Sequence, residues 1–420
     1  MYRAIFYLLI NTCPLFNATP LAAQVSVPEN VSSEVFSIYK NIHQNPELGK
    51  KEYKTSKLVK DKLTEFGYTD FFTVNSLPTA VVAILDTKRE GAVIALRSEL
   101  DGRPGHEKTN LEYASKDSAT MHSCGHDAHT SCLLGAAKLL MQHKSELKGK
   151  IIFIFQPAEE TPGGADDIVN EGVLKKLGIQ KMFTLHSVDG LAVGSVTIES
   201  GYFLAGSNYF TINMNGTGSH AAAPYLGNDI PVVCSKLVTE LTSFPSRNTD
   251  VSMRPCVISV AYIATGDIKA SNVLPDNATI KGTIRAYDPI DSAYDGQPSL
   301  RNLINSKVDR FAKDYQVTCN TTITTGSPST YNDPDLFNTV TPKLKSIFSG
   351  NVIADNYRGL FSEDFSYYTK EVPCLYFGLG IQKDNLGNQN IHTNLFSVHP
   401  DAFKYGIELY CDLAFISNKK

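Results

Sequence analysis

The sequence predicts an α/β fold, with a mostly parallel central sheet in a domain that is split by an inserted α+β unit. Three observations carry this. Strand-like apolar runs alternate with helical patterns up to His186, an order that builds a parallel sheet. Ile151-Ile152-Phe153-Ile154-Phe155 is apolar throughout, as a strand covered on both faces is. The pattern changes near Ala205, and residues able to bind metal resume only at Glu363 and His392. The intervening unit is therefore inserted rather than appended.

At 420 residues the chain is too long for one ordinary core. Hydrophobic residues make up 42% and charged residues 20%, as in globular proteins. A net charge of −4 without a basic run gives no reason to expect a nucleic-acid partner.

Taken in order, Arg3, the apolar run Ala4 to Ile10 and the small residues of Leu21-Ala22-Ala23-Gln24 read as a secretory signal over residues 1–23. That predicts export to the periplasm or the exterior. The run is too short for a membrane span. Cys132, Cys234, Cys256, Cys319, Cys374 and Cys411 are too sparse and irregular to imply a disulfide scaffold.

Val35, Phe36, Ile38, Tyr39 and Ile42 have helical spacing, and a second helix is expected from about Thr55 to Phe66. Strands are expected at Ala80–Leu85, Ala92–Leu96, Ile151–Phe155 and Met182–His186. In the inserted unit, strands are expected at Tyr209–Met214, Val257–Ala264 and Thr279–Arg285, and helices at Ile230–Leu241 and Leu300–Tyr315. Asp288–Ser299 is the most linker-like stretch.

The chemistry centres on His122-Ser123-Cys124-Gly125-His126-Asp127-Ala128-His129, which opens an Ala- and Leu-rich helix. Cys and His two apart suit a thiolate–imidazole grip on zinc or manganese. About thirty residues on, the buried strand ends in Gln156-Pro157-Ala158-Glu159-Glu160. Sites in open α/β sheets form beyond the strands' C-terminal ends. Adjacent carboxylates there can divide labour, one binding metal while the other takes a proton from water that the metal acidifies.

These stretches resemble the amidohydrolase branch of the co-catalytic metallopeptidase superfamily, which includes hippurate hydrolases, N-acyl-amino-acid amidohydrolases and auxin-conjugate hydrolases. The likeness runs from His43-Gln44-Asn45-Pro46-Glu47-Leu48-Gly49 through Leu96 to Asp101, Met121 to Ala137, Phe155 to Ala165 and Ser219 to Pro224. It continues at Asn272 to Asp276, Gly282 to Arg285 and Ser362 to Phe365. It implies two divalent metal ions, zinc or manganese, held by Cys124, His126, Glu160, His186 and His392, with Cys124 as the candidate bridge. Glu159 would be general base and then proton donor. His220 would stabilise the oxyanion, and in relatives this histidine can come from a second subunit. Asn272 and Arg285 would receive the substrate carboxylate, and Asp127 and His129 would orient the ligands from behind.

The implied layout is a catalytic domain over 24–205 and 326–420, and an inserted lid or dimerisation domain over 206–325 that makes a homodimer. The implied reaction is hydrolysis of an N-acyl amino acid or similar small amide. A metallo-carboxypeptidase or dipeptidase with the same centre is the nearest alternative. A thiol hydrolase pairing Cys124 with His126 or His129, and a non-catalytic binding protein, are the others. The sequence departs from the family at Glu99, usually Asp, and at Gly102-Arg103-Pro104-Gly105, which replaces an apolar stretch. It also departs at Tyr225 and after His392.

Overall fold

The computed structural model describes residues 25–418 except 253, 294–295 and 354–358. The expected signal segment, 1–23, lies outside the described residues. Within them, no helix is long and apolar enough to cross a membrane.

Among the described residues the main sheet has eight strands. Its four central ones, in spatial order Lys150–Gln156, Val93–Glu99, Lys181–Ala192 and Cys374–Gln382, are mutually parallel. Val81–Asp86 joins antiparallel to Lys150–Gln156 on one side, and Ser195–Thr197 antiparallel to Cys374–Gln382 on the other.

The apolar run Ile151–Phe155 shows why the sheet is buried twice. Ile151, Phe153 and Phe155 enter one core with helices Glu29–Gln44, His126–Gln142 and Ala402–Asn418. Ile152 and Ile154 enter the opposite core with Ala165, Ile168 and Phe365. Successive side chains of a strand point to opposite faces, so both parities must be apolar.

The inserted unit has its own four-stranded antiparallel sheet, ordered Cys256–Thr265, Asn277–Ala286, Gly206–Asn215, Thr318–Thr325. Helices Ile230–Asn248 and Leu300–Asp314 share a separate core with it, including Ile212, Leu237, Ile280 and Val308. This is the split βαβ arrangement.

Several elements differ from the sequence reading. Asp288–Ser299 connects a strand to a helix inside the inserted unit and joins no domains. The central strand Cys374–Gln382 went unread because Gly378 and Gly380 interrupt its apolar pattern. Strand Thr318–Thr325 is mostly threonine, a residue that favours strands but gives little hydrophobic alternation. The strand bearing His186 runs on to Ala192 rather than ending there. Its pairing with Val93–Glu99 stops at Thr184, so His186 lies just past the end of that pairing, where the two strands part.

Candidate metal centre

Cys124 and His126 flank Gly125, which caps helix His126–Gln142 with φ of 90°. A Cβ there would lie 2.2 Å from Ser187 Oγ, so glycine alone lets the chain turn between the two side chains. His392 is pinned by its N–H to the Ser123 carbonyl at 2.6 Å and adopts φ of 66°. Ala158, just before Glu159, has φ of 61°. Left-handed backbone at a non-glycine residue costs about 1–3 kcal/mol and persists where the surroundings enforce it.

Four donor triads result, each with its atoms within 4.8 Å of one another: two share Cys124 (Cys124, His126 and His186; Cys124, Glu160 and His392), and two contain Glu159 (His126, Glu159 and Glu160; Glu159, Glu363 and Asp364). Cys124 Sγ, common to the first two, is 3.4 Å from His186 Nε2 and 3.3 Å from His392 Nε2. Glu160 Oε1 lies 3.2 Å from His392 Nε2, and Glu159 Oε2 lies 3.8 Å from His126 Nε2. All five expected ligands therefore meet.

The site fits divalent cations. His126 Nε2 is buried without a hydrogen-bond partner among the described residues, while its Nδ1 donates to the Asp101 carbonyl at 2.9 Å. Burial, with help from His129, lowers the His186 pKa to about 3, leaving it neutral and able to donate a lone pair. Burial pushes the Cys124 thiol up, reinforced by Glu160, Glu159, Glu363 and Glu99. Burial alone would lower His126, but Asp101, Glu99 and Glu160 lift it to about 10. Thiolate, imidazole and carboxylate donors together suit divalent metal ions, whose binding displaces such protons. The same upward push on Cys124 opposes the thiol-hydrolase alternative, because a nucleophilic cysteine needs a lowered pKa.

Asp101 is the organiser that the sequence reading left unassigned. Its carboxylate accepts the N–H groups of Glu159 at 3.1 Å and Glu160 at 3.0 Å, and its Oδ1 lies 3.3 Å from His126 Nδ1. One side chain thus fixes the Glu-Glu turn and one imidazole. Asp101→Ala is expected to weaken metal binding about 10–100-fold, measured by competition with a chromophoric chelator. A change below twofold would refute the organising role.

His129 acts through a neighbour. Its Nδ1 donates to Glu99 at 2.9 Å, and its Nε2 accepts the Ser187 N–H at 2.8 Å, fixing the residue beside His186. Asp127 instead bonds His43 Nδ1 at 2.6 Å, and His43 Nε2 meets Glu107 at 3.2 Å. Neither ring nitrogen of buried His122 has a hydrogen-bond partner among the described residues.

Burial would lower the His43 pKa, but Asp127 and Glu107 raise it from 6.5 to about 9. A raised folded-state pKa stabilises fully below the unfolded value and loses that stabilisation as pH rises through the folded one. The melting temperature of the chelated protein should therefore fall between pH 6.5 and about 9, and His43→Leu should flatten this slope. An equal slope in both proteins would exclude His43 as its source.

Glu363 is no free ligand. Its Oε1 accepts from Arg97 Nη2 at 2.9 Å and its Oε2 from the Tyr376 hydroxyl at 3.3 Å. Arg97, fully buried, also pairs with Glu99 and with Asp364 at 2.8 Å and donates to Gln156 at 2.9 Å. A lone arginine inside the strand Val93–Glu99 was the signal available for it.

A cavity of about 530 Å³ opens over the cluster, lined among others by Glu159, Glu160, Arg103, Arg285 and Tyr209. Arg285 reaches across from the inserted unit to Ser362 Oγ at 2.5 Å. His220 and Asn272 do not line it. Both are exposed, on or beside an arm in which Ser219–His220 pairs with Val273–Leu274, and Ala221 N–H bonds the Asn272 carbonyl at 2.9 Å. Within a single chain neither residue is part of the cavity wall.

The sequence profile of Peptidase family M20/M25/M40 matches residues 95–415. The chain is 32% identical over 391 residues to IAA-amino acid hydrolase ILR1-like 2 of Arabidopsis thaliana, covering 91% of this chain and 86% of that protein. It is 33% identical over 384 residues to N-acetyl-L-cysteine deacetylase of Bacillus subtilis (strain 168), covering 90% and 87%. A crystal structure from Bacillus subtilis, described as a dinuclear metal binding peptidase from the M20 family, superposes with a TM-score of 0.78. It has 26% identity and covers 93% of this chain and 99% of that one.

Proposed function

Since the chain belongs to peptidase family M20/M25/M40, a family of metal-dependent hydrolases of amide and peptide bonds, we propose that it cleaves N-acyl amino acids. The observation that carries this reading is the pair of donor triads sharing Cys124, with Glu159 beside them and outside both. Cys124, His126 and His186 would hold one divalent ion, and Cys124, Glu160 and His392 the other, zinc or manganese. When bound, the ions would polarise the scissile carbonyl and acidify water.

The chain's own residues do the rest. Glu159 takes a proton from the attacking water and passes it to the leaving nitrogen. Burial pushes its pKa well up, as do Glu363, Asp364, Glu160 and Asp101, which favours holding that proton until the amine departs. Arg285, from the inserted unit, receives the substrate carboxylate through its planar fork. His220 would reach the oxyanion only from a second copy of the chain, with the inserted unit as the dimerisation domain.

The test is release of free amino acid from N-acyl amino acids and from dipeptides by metal-loaded and chelated protein. Turnover of the acylated substrates that chelation abolishes and reloading restores is expected. Faster cleavage of dipeptides would move the reading to a peptidase, and full metal occupancy without any turnover would overturn it.

A further inference from the structure

Arg103 is a charged side chain of the cavity that the proposed reaction leaves without a task. Its backbone is built to be still. Arg103–Pro104 pairs antiparallel with Thr120–Met121, just ahead of the metal-binding loop. Gly102 N–H bonds the Glu47 carbonyl at 2.7 Å, and Gly105 N–H bonds the Ala119 carbonyl at 2.9 Å. Gly102 allows close approach: a Cβ there would lie 3.1 Å from the Met121 carbonyl oxygen, whereas at Gly105 it would meet only the Met121 side chain. Packing thus explains Gly102, and proline restrains φ. It does not explain the arginine.

The Arg103 side chain is about one-quarter exposed and lines the cavity. Its Nε lies 3.0 Å from Glu160 Oε2, on the carboxylate whose other oxygen faces His392. No other carboxylate among the described residues forms an ion pair with it. A cation held by Glu160 would draw on the same negative charge and leave the guanidinium under-neutralised. A planar fork whose terminal N–H groups have no hydrogen-bond partner among the described residues, beside the reacting centre and in a cavity wide enough for a drug-sized ligand, suits a carboxylate. Arg285, the other arginine of the cavity lining, belongs to the opposite unit and is already assigned to the amino-acid end.

We propose that Arg103 forms a subsite for a carboxylate at the far end of the acyl group, so that the substrates are N-acyl amino acids whose acyl part is a dicarboxylic acid. This deepens the amidohydrolase reading and rests on it. Calorimetry would compare binding of N-succinyl-alanine with N-(4-methylpentanoyl)-alanine, of the same shape but without the second charge. Metal-loaded Glu159→Gln protein, with either Arg103 or Arg103→Met, would bind without turnover.

With Arg103 present, the succinyl ligand should bind at least tenfold more tightly. Arg103→Met should reduce that ratio below threefold, chiefly by weakening the succinyl ligand, with metal content unchanged. Equal binding of the two ligands with Arg103 present would overturn the subsite. So would equal weakening of both in Arg103→Met, or loss of metal with the ratio unchanged, since each would assign Arg103 to supporting Glu160 instead. Failure of both ligands to bind, with metal in place, would instead sink the amidohydrolase reading.

Discussion

Glu159→Gln should retain both metal-binding triads and lose hydrolysis by on the order of 10³-fold in kcat. The side chains of Cys124, His126, Glu160, His186 and His392 make up the two triads without Glu159, so metal content measured by elemental analysis should not change. The amide keeps the volume of the carboxylate and can still accept the Asp364 N–H, which lies 3.4 Å from Glu159 Oε1. It cannot take a proton from water. The loss should therefore fall on kcat, with KM nearly constant, because an interaction made only in the transition state is removed. A variant within threefold of the parent kcat would exclude Glu159 as the general base.

Arg97→Met should be the most destabilising of these substitutions, by about 3–5 kcal/mol. Glu99, Glu363 and Asp364 converge on this fully buried guanidinium, Glu363 and Asp364 from the lining of the cavity. Removing the cation leaves three carboxylates without their countercharge, and methionine fills the volume but supplies no hydrogen bond to Gln156. Because Glu363 and Asp364 lie far along the chain from Arg97, the loss also unfastens one part of the split domain from the other. Urea unfolding of metal-loaded protein would measure it, and a change under 1 kcal/mol would show the network to be incidental. Metal binding should weaken as well, since Glu99 also fixes His129 and, through Ser187, the segment bearing His186.

How far the sequence reached can be judged from these same residues. The parallel sheet was legible because Ile151–Phe155 must be apolar on both faces, and a strand carries that requirement in five consecutive letters. Cys124, His126, Glu159 and Glu160 were legible for a related reason. They sit where a strand or a helix starts or stops, and the chemistry of such ends is local. His186 and His392 were reached by resemblance, since nothing beside them in the chain marks them.

The sequence by itself thus determined the parallel character of the sheet, the separate inserted core, and Cys124, His126, Glu159 and Glu160 as the chemistry-bearing residues, with His186 and His392 added by resemblance. Only the tertiary structure decided what holds them. Asp101 gathers His126, 25 residues on, with Glu159 and Glu160, 58 and 59 residues on, and Arg97 finds Glu363 and Asp364 across 266 and 267 residues. It also separated Arg285, which lines the cavity, from His220 and Asn272, which sit exposed on or beside a paired arm and do not line it. Backbone periodicity is written in neighbouring residues, but a buried charge takes its partner from whatever segment the fold brings alongside. That choice depends on strand order and register, which no short stretch of sequence contains.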